Sequence, residues 1–231
     1  MGKELARGQT CMIYVYVSVE GQTEETFINK VLNPYLLTYE VYTTPILLKT
    51  KKVLSGPDFR GGLTNYEQAK RDIQNLLKDH SVQAVTTFYD FYGLPNDFPG
   101  KDSISIGNCY ERVTYLEGRF KEDINNPKFF PYLQLHEFEA FLFVNPEPLR
   151  KFFNDDQKIN RVYEIKRKFN TPEEINDSTE TAPSKRIRSL FPGYQKPLHG
   201  PQAISEVGIE NLMHECSHFR SWVEWLLGLG T

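Results

Sequence analysis

The sequence is poor in several features that mark particular protein classes. It has 231 residues but only three cysteines, Cys11, Cys109 and Cys216, which lie far apart. A sparse, odd-numbered set excludes a disulfide framework and favours a reducing, cytoplasmic setting. The apolar run that ends at Val19 is too short to cross a membrane, and no small-residue cleavage site follows it. We therefore expect neither a membrane span nor a secretory signal.

An excess of positive charge is also missing. The chain has 27 Lys and Arg against 30 Asp and Glu, which gives a formal net charge of -3. Any nucleic-acid binding would therefore need a local basic patch. The hydrophobic fraction of 39% and the aromatic fraction of 13% are those of a packed globular protein.

What the sequence does contain is an alternation of strand-like and helical segments between Met12 and Asn145. The pattern predicts strands at 12–19, 39–48, 82–89 and 129–135, and helices at 23–32, 65–78 and 108–124. Asn33 and Pro34 are expected to end the first helix. Such alternation predicts an α/β fold with a parallel sheet of about four strands flanked by helices.

The ends of the chain differ in character from this middle part. Residues 1–11 are polar and without periodicity, so they are expected to be a flexible leader. Residues 12–145 form the predicted α/β core. In residues 146–231 seven prolines separate short helical segments, and we expect a helical appendage packed on the core rather than an independent domain.

Acidic residues follow three of the four predicted strands. Glu20 closes the first strand with Glu24 one helical turn further on, Asp90 closes the third, and the fourth runs into Glu137 and Glu139. In open α/β sheets, ligands bind beyond the carboxyl ends of the strands. Acids that converge there repel one another unless a cation neutralises them, and Mg²⁺ and Mn²⁺ favour oxygen ligands. The pattern therefore indicates a metal site.

Each of these acids also has a simpler interpretation. Glu24 can complement the positive end of a helix, and Asp90 can cap a turn. Glu137 and Glu139 can flank a buried helix and point to water. Glu137 and Glu139 would share a side only if the stretch between them is extended, and Glu137 is preferred as a ligand because it is nearer the strand end.

The motifs "VEGQTEE", "DFYGLP", "HEFEAFLF", "APSKRI" and "HGPQAISEVGIENL" together resemble an uncharacterised bacterial family that is TOPRIM-like. A Glu-Gly after the first strand and an Asp after the third resemble the TOPRIM fold of topoisomerases, primases and OLD-type nucleases. The resemblance covers nearly the whole chain from Met12 onward. It implies a TOPRIM/Rossmann-like sheet and Mg²⁺- or Mn²⁺-dependent cleavage of phosphodiester bonds.

The resemblance also implies roles for single residues. Glu20 falls on the family glutamate, a metal ligand or general acid/base, and Asp90 falls on the first Asp of Asp-x-Asp. Tyr92 stands where the second Asp would be, and Glu137 or Glu139 could substitute for it. Glu24 would support a second ion or the residues that bind the first ion directly.

Basic residues in two stretches could hold phosphate. One is the loop that carries Lys49, Lys51, Lys52 and Arg60; the other runs from Pro183 to Gly200. Ser184 is predicted to cap a helix, which would put Lys185 and Arg186 in its first turn, where cations oppose the helix dipole. This conflict indicates an anion opposite them, although a solvated face would explain it equally well. The predicted nucleic-acid-binding residues are His136, Lys185, Arg186, Lys196 and His199.

The stretch His214–His218, "HECSH", matches H-E-x-x-H, the pattern of zinc proteases. Ser217 is predicted to begin a new helix, which would separate the two histidines. A zinc protease is therefore a remote alternative.

Two functions follow from these observations. The first is a TOPRIM-like nuclease acting on DNA or RNA, in which Glu20, Asp90 and Glu137 are catalytic. Families with such domains pair them with an ABC-type ATPase in phage defence, so an ATPase partner is expected by analogy, and a homo-oligomer is compatible with the sequence. The second is a non-catalytic module that binds the partner ATPase.

Overall fold

The computed structural model describes residues 12–48, 63, 65–104, 107–175 and 181–230. The leader predicted for residues 1–11 lies outside the described residues, as does the basic loop with Lys49, Lys51, Lys52 and Arg60. Nothing in the described structure tests those two predictions.

The described residues form a parallel sheet flanked by helices, which confirms the predicted fold class. The strands run in the order β2-β1-β3-β4, with β5 also paired to β3, and every pairing is parallel. Their bounds are β1 Ile13–Val19, β2 Val41–Leu47, β3 Ala84–Asp90, β4 Phe129–Phe130 and β5 Leu133–Gln134. The connections put β1 and β3 side by side in the middle of the sheet.

The predicted fourth strand is two short strands with a gap at Pro131 and Tyr132. Proline has no N–H to give to a neighbouring strand. Thr87 of β3 fills the gap with its side chain: its hydroxyl donates to the Tyr132 carbonyl (2.8 Å) and accepts from the Tyr132 N–H (3.0 Å). The edge therefore stays attached to β3 through a side chain.

Helices occupy both faces of the sheet. The α-helices are α1 Gln22–Phe27, α2 Asn33–Leu36, α3 Tyr66–Leu76, α4 Cys109–Ile124, α5 Arg150–Phe153, α6 Asp156–Lys166, α7 Pro183–Leu190, α8 Lys196–Val207, α9 Ile209–Glu215 and α10 Ser217–Gly228. Ile28–Leu32 is a π-helical turn between α1 and α2. Single 3-10 turns cover Leu37–Tyr39, Phe91–Gly93, Lys101–Ser103, Glu147–Leu149 and Pro172–Glu174, and a longer one covers Phe138–Phe143.

The prediction that Asn33 and Pro34 end the first helix is wrong. Pro34 lies in the first turn of α2, after the π-helical turn, and at such a position its missing N–H is tolerated. The buried Asn33 side chain instead ties the helix to β2: it accepts from the Thr43 N–H (2.8 Å) and donates to the Thr43 carbonyl (2.7 Å).

Two hydrophobic clusters hold the layers together. On one face of the sheet, Val85 and Tyr89 pack with residues of α3 and α4 such as Ile73 and Phe120. On the other face, residues of β1 pack with α1 and with the helices that follow residue 145. No helix within the described ranges is long and apolar enough to cross a membrane.

The C-terminal helices share a core with the sheet. Trp222 of α10 is fully buried, stacks on Tyr132 with ring centroids 4.5 Å apart, and donates its indole N–H to the Thr86 hydroxyl (2.9 Å). Described residues of α6, α7, α8 and α9 belong to the same buried cluster as β1, while a domain boundary at residue 145 stays a prediction.

Candidate active site at the carboxyl ends of the strands

Glu20 and Asp90 meet where two neighbouring strands end. Glu20 follows the last residue of β1, and Asp90 is the last residue of β3. The Asp90 N–H donates to Glu20 Oε1 at 2.8 Å. The chain after β3 then passes directly over this carboxylate, because a Cβ at Gly93 would lie 3.2 Å from Glu20 Oε2. Parallel pairing of β1 with β3 therefore brings the two acids together, as their positions in the sequence predicted.

Lys196 lies among the carboxylates. Its Nζ is 2.8 Å from Asp90 Oδ2, 3.3 Å from Glu24 Oε1 and 3.5 Å from Glu139 Oε2. Glu24 comes from α1, Glu139 from the 3-10 helix Phe138–Phe143, and Lys196 is the first residue of α8. Four segments that are distant in sequence thus meet at one point.

Asp90 is held from two sides. Its Oδ1 accepts the Phe138 N–H at 2.9 Å, while its Oδ2 faces Lys196. The Lys196 ammonium also lies 5.9 Å from the centroid of the Phe138 ring. Both carboxylate oxygens of Asp90 are therefore fixed by residues that come after β5.

The acids lie in a buried position where ionisation is unfavourable. Burial raises the pKa of Glu20 well above its ordinary value, and the charges of Asp90 and Glu24 raise it further. Burial also raises the pKa of Glu24, and that of Glu139 to about 7, although Lys196 opposes both shifts. Burial alone would lower the pKa of Lys196, but Asp90, Glu139 and Glu24 hold it well above its ordinary value. One ammonium group is thus too little positive charge for all of these carboxylates.

The donor chemistry of the cluster fits a divalent cation. Glu20, Glu24, Asp90 and Glu139 offer the carboxylate oxygens that Mg²⁺ and Mn²⁺ prefer. Glu139 is fully buried, yet neither of its carboxylate oxygens accepts a hydrogen bond from a described residue. Within the described ranges, however, no group of three or more His, Cys, Asp or Glu side chains is placed so that it could hold a metal ion, and the position among these oxygens is taken by the ammonium of Lys196. A cation would have to take the place of that ammonium.

The extended geometry considered for Glu137 and Glu139 is absent. Glu137 is the residue before the 3-10 helix, and Glu139 lies inside it. Glu139 points to Lys196, whereas Glu137 Oε2 accepts the Ser184 N–H at 2.9 Å. The tight helix after β5 therefore turns Glu139, the less favoured of the two in the sequence, toward Asp90.

Tyr92, which stands in place of the second Asp, packs against His136. The two rings stack with centroids 5.3 Å apart, and the Tyr92 N–H donates to the His136 carbonyl at 3.2 Å. His136 is fully buried and has a φ of 62°, which is uncommon for a residue other than glycine. The pair shapes the chain between β5 and Glu137.

The predicted cap at Ser184 is wrong, because the residue that precedes α7 is Ala182, two residues earlier, and the helix begins at Pro183. Lys185 and Arg186 still lie in its first turn, and Lys185 is exposed. The Arg186 Nε–H donates to the Thr181 carbonyl at 2.6 Å. Arg186 is thus held by a backbone carbonyl just before α7.

His199 does not face the carboxylates through any contact seen here. Its Nδ1 accepts the Gln195 N–H at 2.9 Å, and its ring packs on Phe152 and Phe153. Burial lowers the pKa of His199, which agrees with a neutral ring that accepts at Nδ1. Among the described contacts, its role is to hold the start of α8.

The histidines of "HECSH" lie on different helices. α9 ends at Glu215 and α10 begins at Ser217, with the extended residue Cys216 between them. His214 is exposed, while His218 Nε2 lies 3.0 Å from Glu117 Oε1. The predicted break is therefore present, one residue before the expected cap, and the two histidines do not face one metal position.

Sequence reasoning missed the central position of Lys196, which was predicted only as a nucleic-acid contact. One signal was available. Lys196 opens a helix, with Pro197 behind it, and a cation at a helix N-terminus is unfavourable unless anions face it. The same argument, applied to Lys185 and Arg186, could have been applied here.

Comparisons with known proteins place the chain in a family. The family model described as "Domain of unknown function (DUF4276)" matches residues 19–227. No curated protein matches. Two solved structures of the C-terminal region of the Xanthomonas campestris pv. campestris OLD protein resemble the chain, with TM-scores of 0.43 and 0.42 and identities of 12% and 14%. Each covers 94% of this chain and 95% of the other. Likeness at this level is too distant to transfer residues or activity.

Proposed function

This chain belongs to the DUF4276 family, and we propose that it is a TOPRIM-like, Mg²⁺- or Mn²⁺-dependent nuclease acting on DNA or RNA. The observation that carries the proposal is the convergence of Glu24, Asp90 and Glu139 within 3.5 Å of one ammonium group, with Glu20 bonded to Asp90. The TOPRIM-like resemblance of the motifs supports the choice of reaction.

In this proposal Asp90, Glu20 and Glu139 hold the metal, and Glu24 supports the first ion or a second one. A bound divalent cation would stabilise charge on the phosphodiester and activate a water. Asp90 is already oriented by the Phe138 N–H. Glu137 orients α7 through Ser184 rather than binding the ion directly. By analogy with families that contain such domains, we also propose a defence role with an ABC-type ATPase.

The raised pKa values couple the binding of a metal ion to the release of protons. Burial raises the pKa values of Glu20 and Glu24 and brings that of Glu139 to about 7, so protons compete with a cation for these carboxylates. A divalent cation requires their ionised form, so binding releases protons and strengthens with pH. Activity in Mn²⁺ is therefore expected to rise from pH 6 to pH 8.

The test is a plasmid-nicking assay in Mn²⁺ with wild type, Asp90→Asn and Glu139→Gln. Each change keeps the shape of the side chain and removes the charge that a cation needs, so we expect at least a hundredfold loss of nicking. Glu25→Gln is the matched control, since Glu25 is next to Glu24 in α1 and makes none of the cluster contacts within the described residues. Equal nicking by wild type and Asp90→Asn would refute the proposal.

A second candidate function is favoured by Lys196 itself. The Lys196 ammonium forms ion pairs with three carboxylates. In a non-catalytic domain that binds no metal, such a group would neutralise part of their charge. In that case the protein is a TOPRIM-like module that binds a partner ATPase. Isothermal titration calorimetry with Mn²⁺ separates the two functions. A metal-dependent nuclease binds Mn²⁺ and loses this binding in Asp90→Asn, whereas a non-catalytic module gives the same heat for wild type and Asp90→Asn.

A further inference from the structure

A groove of about 310 Å³ lies between α6 and α7, outside the carboxylate cluster. Each helix contributes one face to it, because the lining residues recur at helical spacing. They are Arg161, Glu164, Ile165 and Lys168 on the side of α6, and Arg186, Ser189 and Leu190 on α7. The groove thus combines three cations, one carboxylate and a hydroxyl with two apolar side chains.

The charge in the groove is predominantly positive. Glu164, the one acid among its lining residues, pairs with Arg161 at 2.6 Å. Lys168 makes no ion pair with any residue that the structure describes. Arg186 is held in place by its bond to the Thr181 carbonyl and lies 5.8 Å from the centroid of the Phe169 ring. In a chain of net charge -3, this local excess of positive charge calls for an anionic partner.

The groove is connected to the carboxylate cluster through α7. Ser184, in the first turn of that helix, donates its N–H to Glu137, and the next residue, Phe138, donates its N–H to Asp90. From Ser184 to Ser189 the helix rises about 7.5 Å. The helix that carries Arg186, Ser189 and Leu190 therefore begins beside the residues that position Asp90.

We propose that this groove binds the phosphate backbone of a nucleic-acid strand whose scissile bond lies at the carboxylate cluster. Arg, Lys and Ser side chains are common phosphate contacts in nucleic-acid complexes. The proposal rests on the function proposed above, and it adds Arg161, Lys168 and Ser189 as substrate-binding residues. The apolar side chains let a sugar pack between the charged contacts.

The test is fluorescence anisotropy with labelled single-stranded DNA and RNA oligonucleotides, in EDTA and at several salt concentrations. Lys168→Glu is expected to weaken binding at least tenfold and to reduce the salt dependence by about one released counterion. Lys78→Glu is the matched control: it changes the net charge equally, but Lys78 is exposed at the end of α3, near the amino ends of the strands. It should bind within twofold of wild type.

Several outcomes would contradict the proposal that the groove binds nucleic acid. Equal weakening by Lys168→Glu and Lys78→Glu would show that only bulk charge matters, and failure of wild type to bind either oligonucleotide would remove the site. Tighter binding of a polyglutamate peptide than of the oligonucleotides would assign the groove to an acidic protein instead.

Asp90→Asn keeps this test separate from the proposed activity. That variant is expected to bind oligonucleotides as wild type does and to leave them uncut in Mn²⁺. If wild type cleaves and Lys168→Glu binds and cleaves equally well, the groove does not bind the substrate, and the proposed nuclease activity is supported. If Lys168→Glu weakens binding but neither wild type nor Asp90→Asn cleaves, the groove stands and the nuclease is wrong.

Discussion

Lys196 shows which part of the site a sequence can reveal. Glu20 and Asp90 were predictable because both close neighbouring parallel strands, and strand ends meet at one sheet edge. Lys196 lies 106 residues beyond Asp90, in a helix whose position depends on how the whole C-terminal part packs. No local pattern specifies that distance, so the partner of the acids was found only in the fold.

Replacing Lys196 tests how much this ammonium group stabilises the cluster. In Lys196→Met the carboxylates lose their cation, and we expect the free energy of unfolding at pH 7.5 to fall by about 1–3 kcal/mol. Urea unfolding measures the change. Lys151→Met is the matched control, because the Lys151–Glu206 pair (2.8 Å) lies at the surface and should cost less than about 1 kcal/mol. Equal losses in the two variants would contradict the prediction.

Gly93→Ala tests whether the turn after β3 must leave room for Glu20. A Cβ there would lie 3.2 and 3.3 Å from the two Glu20 oxygens, so the carboxylate or the turn must move by a few tenths of an ångström, which disturbs the hydrogen bond from the Asp90 N–H. We expect Mn²⁺-dependent nicking to fall at least tenfold while the protein remains folded by circular dichroism.

Gly118→Ala is the control for that change. Gly118 lies inside α4, where an added Cβ would point into open space, so alanine should raise the free energy of unfolding by about 0.5–1 kcal/mol. Nicking should be unchanged. Wild-type nicking by Gly93→Ala would show that the position of Glu20 is not critical.

At the scale of elements, strongly periodic segments were predicted well and unusual helices were not. α3 and α4 begin after Asn65 and Asn108, whose side chains cap them as expected of a polar residue before an apolar periodic run. The π-helical turn before Pro34 and the 3-10 helix Phe138–Phe143 have no such signal. Both depend on buried contacts, those of Asn33 with Thr43 and of Phe138 with Asp90.

The contact between α10 and α4 gives the protein a pH-dependent stability. Burial alone would lower the pKa of His218, but its hydrogen bond to Glu117 and the charge of that carboxylate raise it. Because the folded pKa exceeds the unfolded value, this stabilisation is complete below the unfolded pKa, about 6.5. It is lost as pH rises through the higher folded pKa.

His218→Gln should remove this pH dependence. Between pH 6 and pH 9, urea unfolding of wild type is expected to show a loss that exceeds the loss in His218→Gln by roughly 1–2 kcal/mol. His214→Gln is the control, since His214 is exposed on α9 and should leave the profile unchanged. Identical profiles for wild type and His218→Gln would contradict the role assigned to the Glu117 pair.

At the scale of the whole molecule, the sequence distinguished the sheet from the helices after residue 145 but did not show how closely they depend on each other. The alternation of strands and helices ends near Asn145, which is why a core and an appendage were predicted. In the fold, Phe27 and Phe88 pack in the same cluster as Phe219 and Trp222 of α10. This face of the sheet is therefore fully covered only when α10 is present.

Removal of residues 146–231 tests this dependence. Without them Phe88 and Tyr132 would be exposed on the open face of the sheet, and Asp90 would lose Lys196. We expect residues 12–145 alone to lack the near-ultraviolet circular dichroism of a fixed aromatic core and to bind a hydrophobic dye, because a large apolar face without a cover is not stable in water. A milder change, Trp222→Ala in the full chain, should lower the free energy of unfolding by about 3–5 kcal/mol. A truncated chain that unfolds cooperatively and resembles the full protein would show that residues 12–145 form a domain of their own, and the helices after them would then be an addition that the sheet does not need.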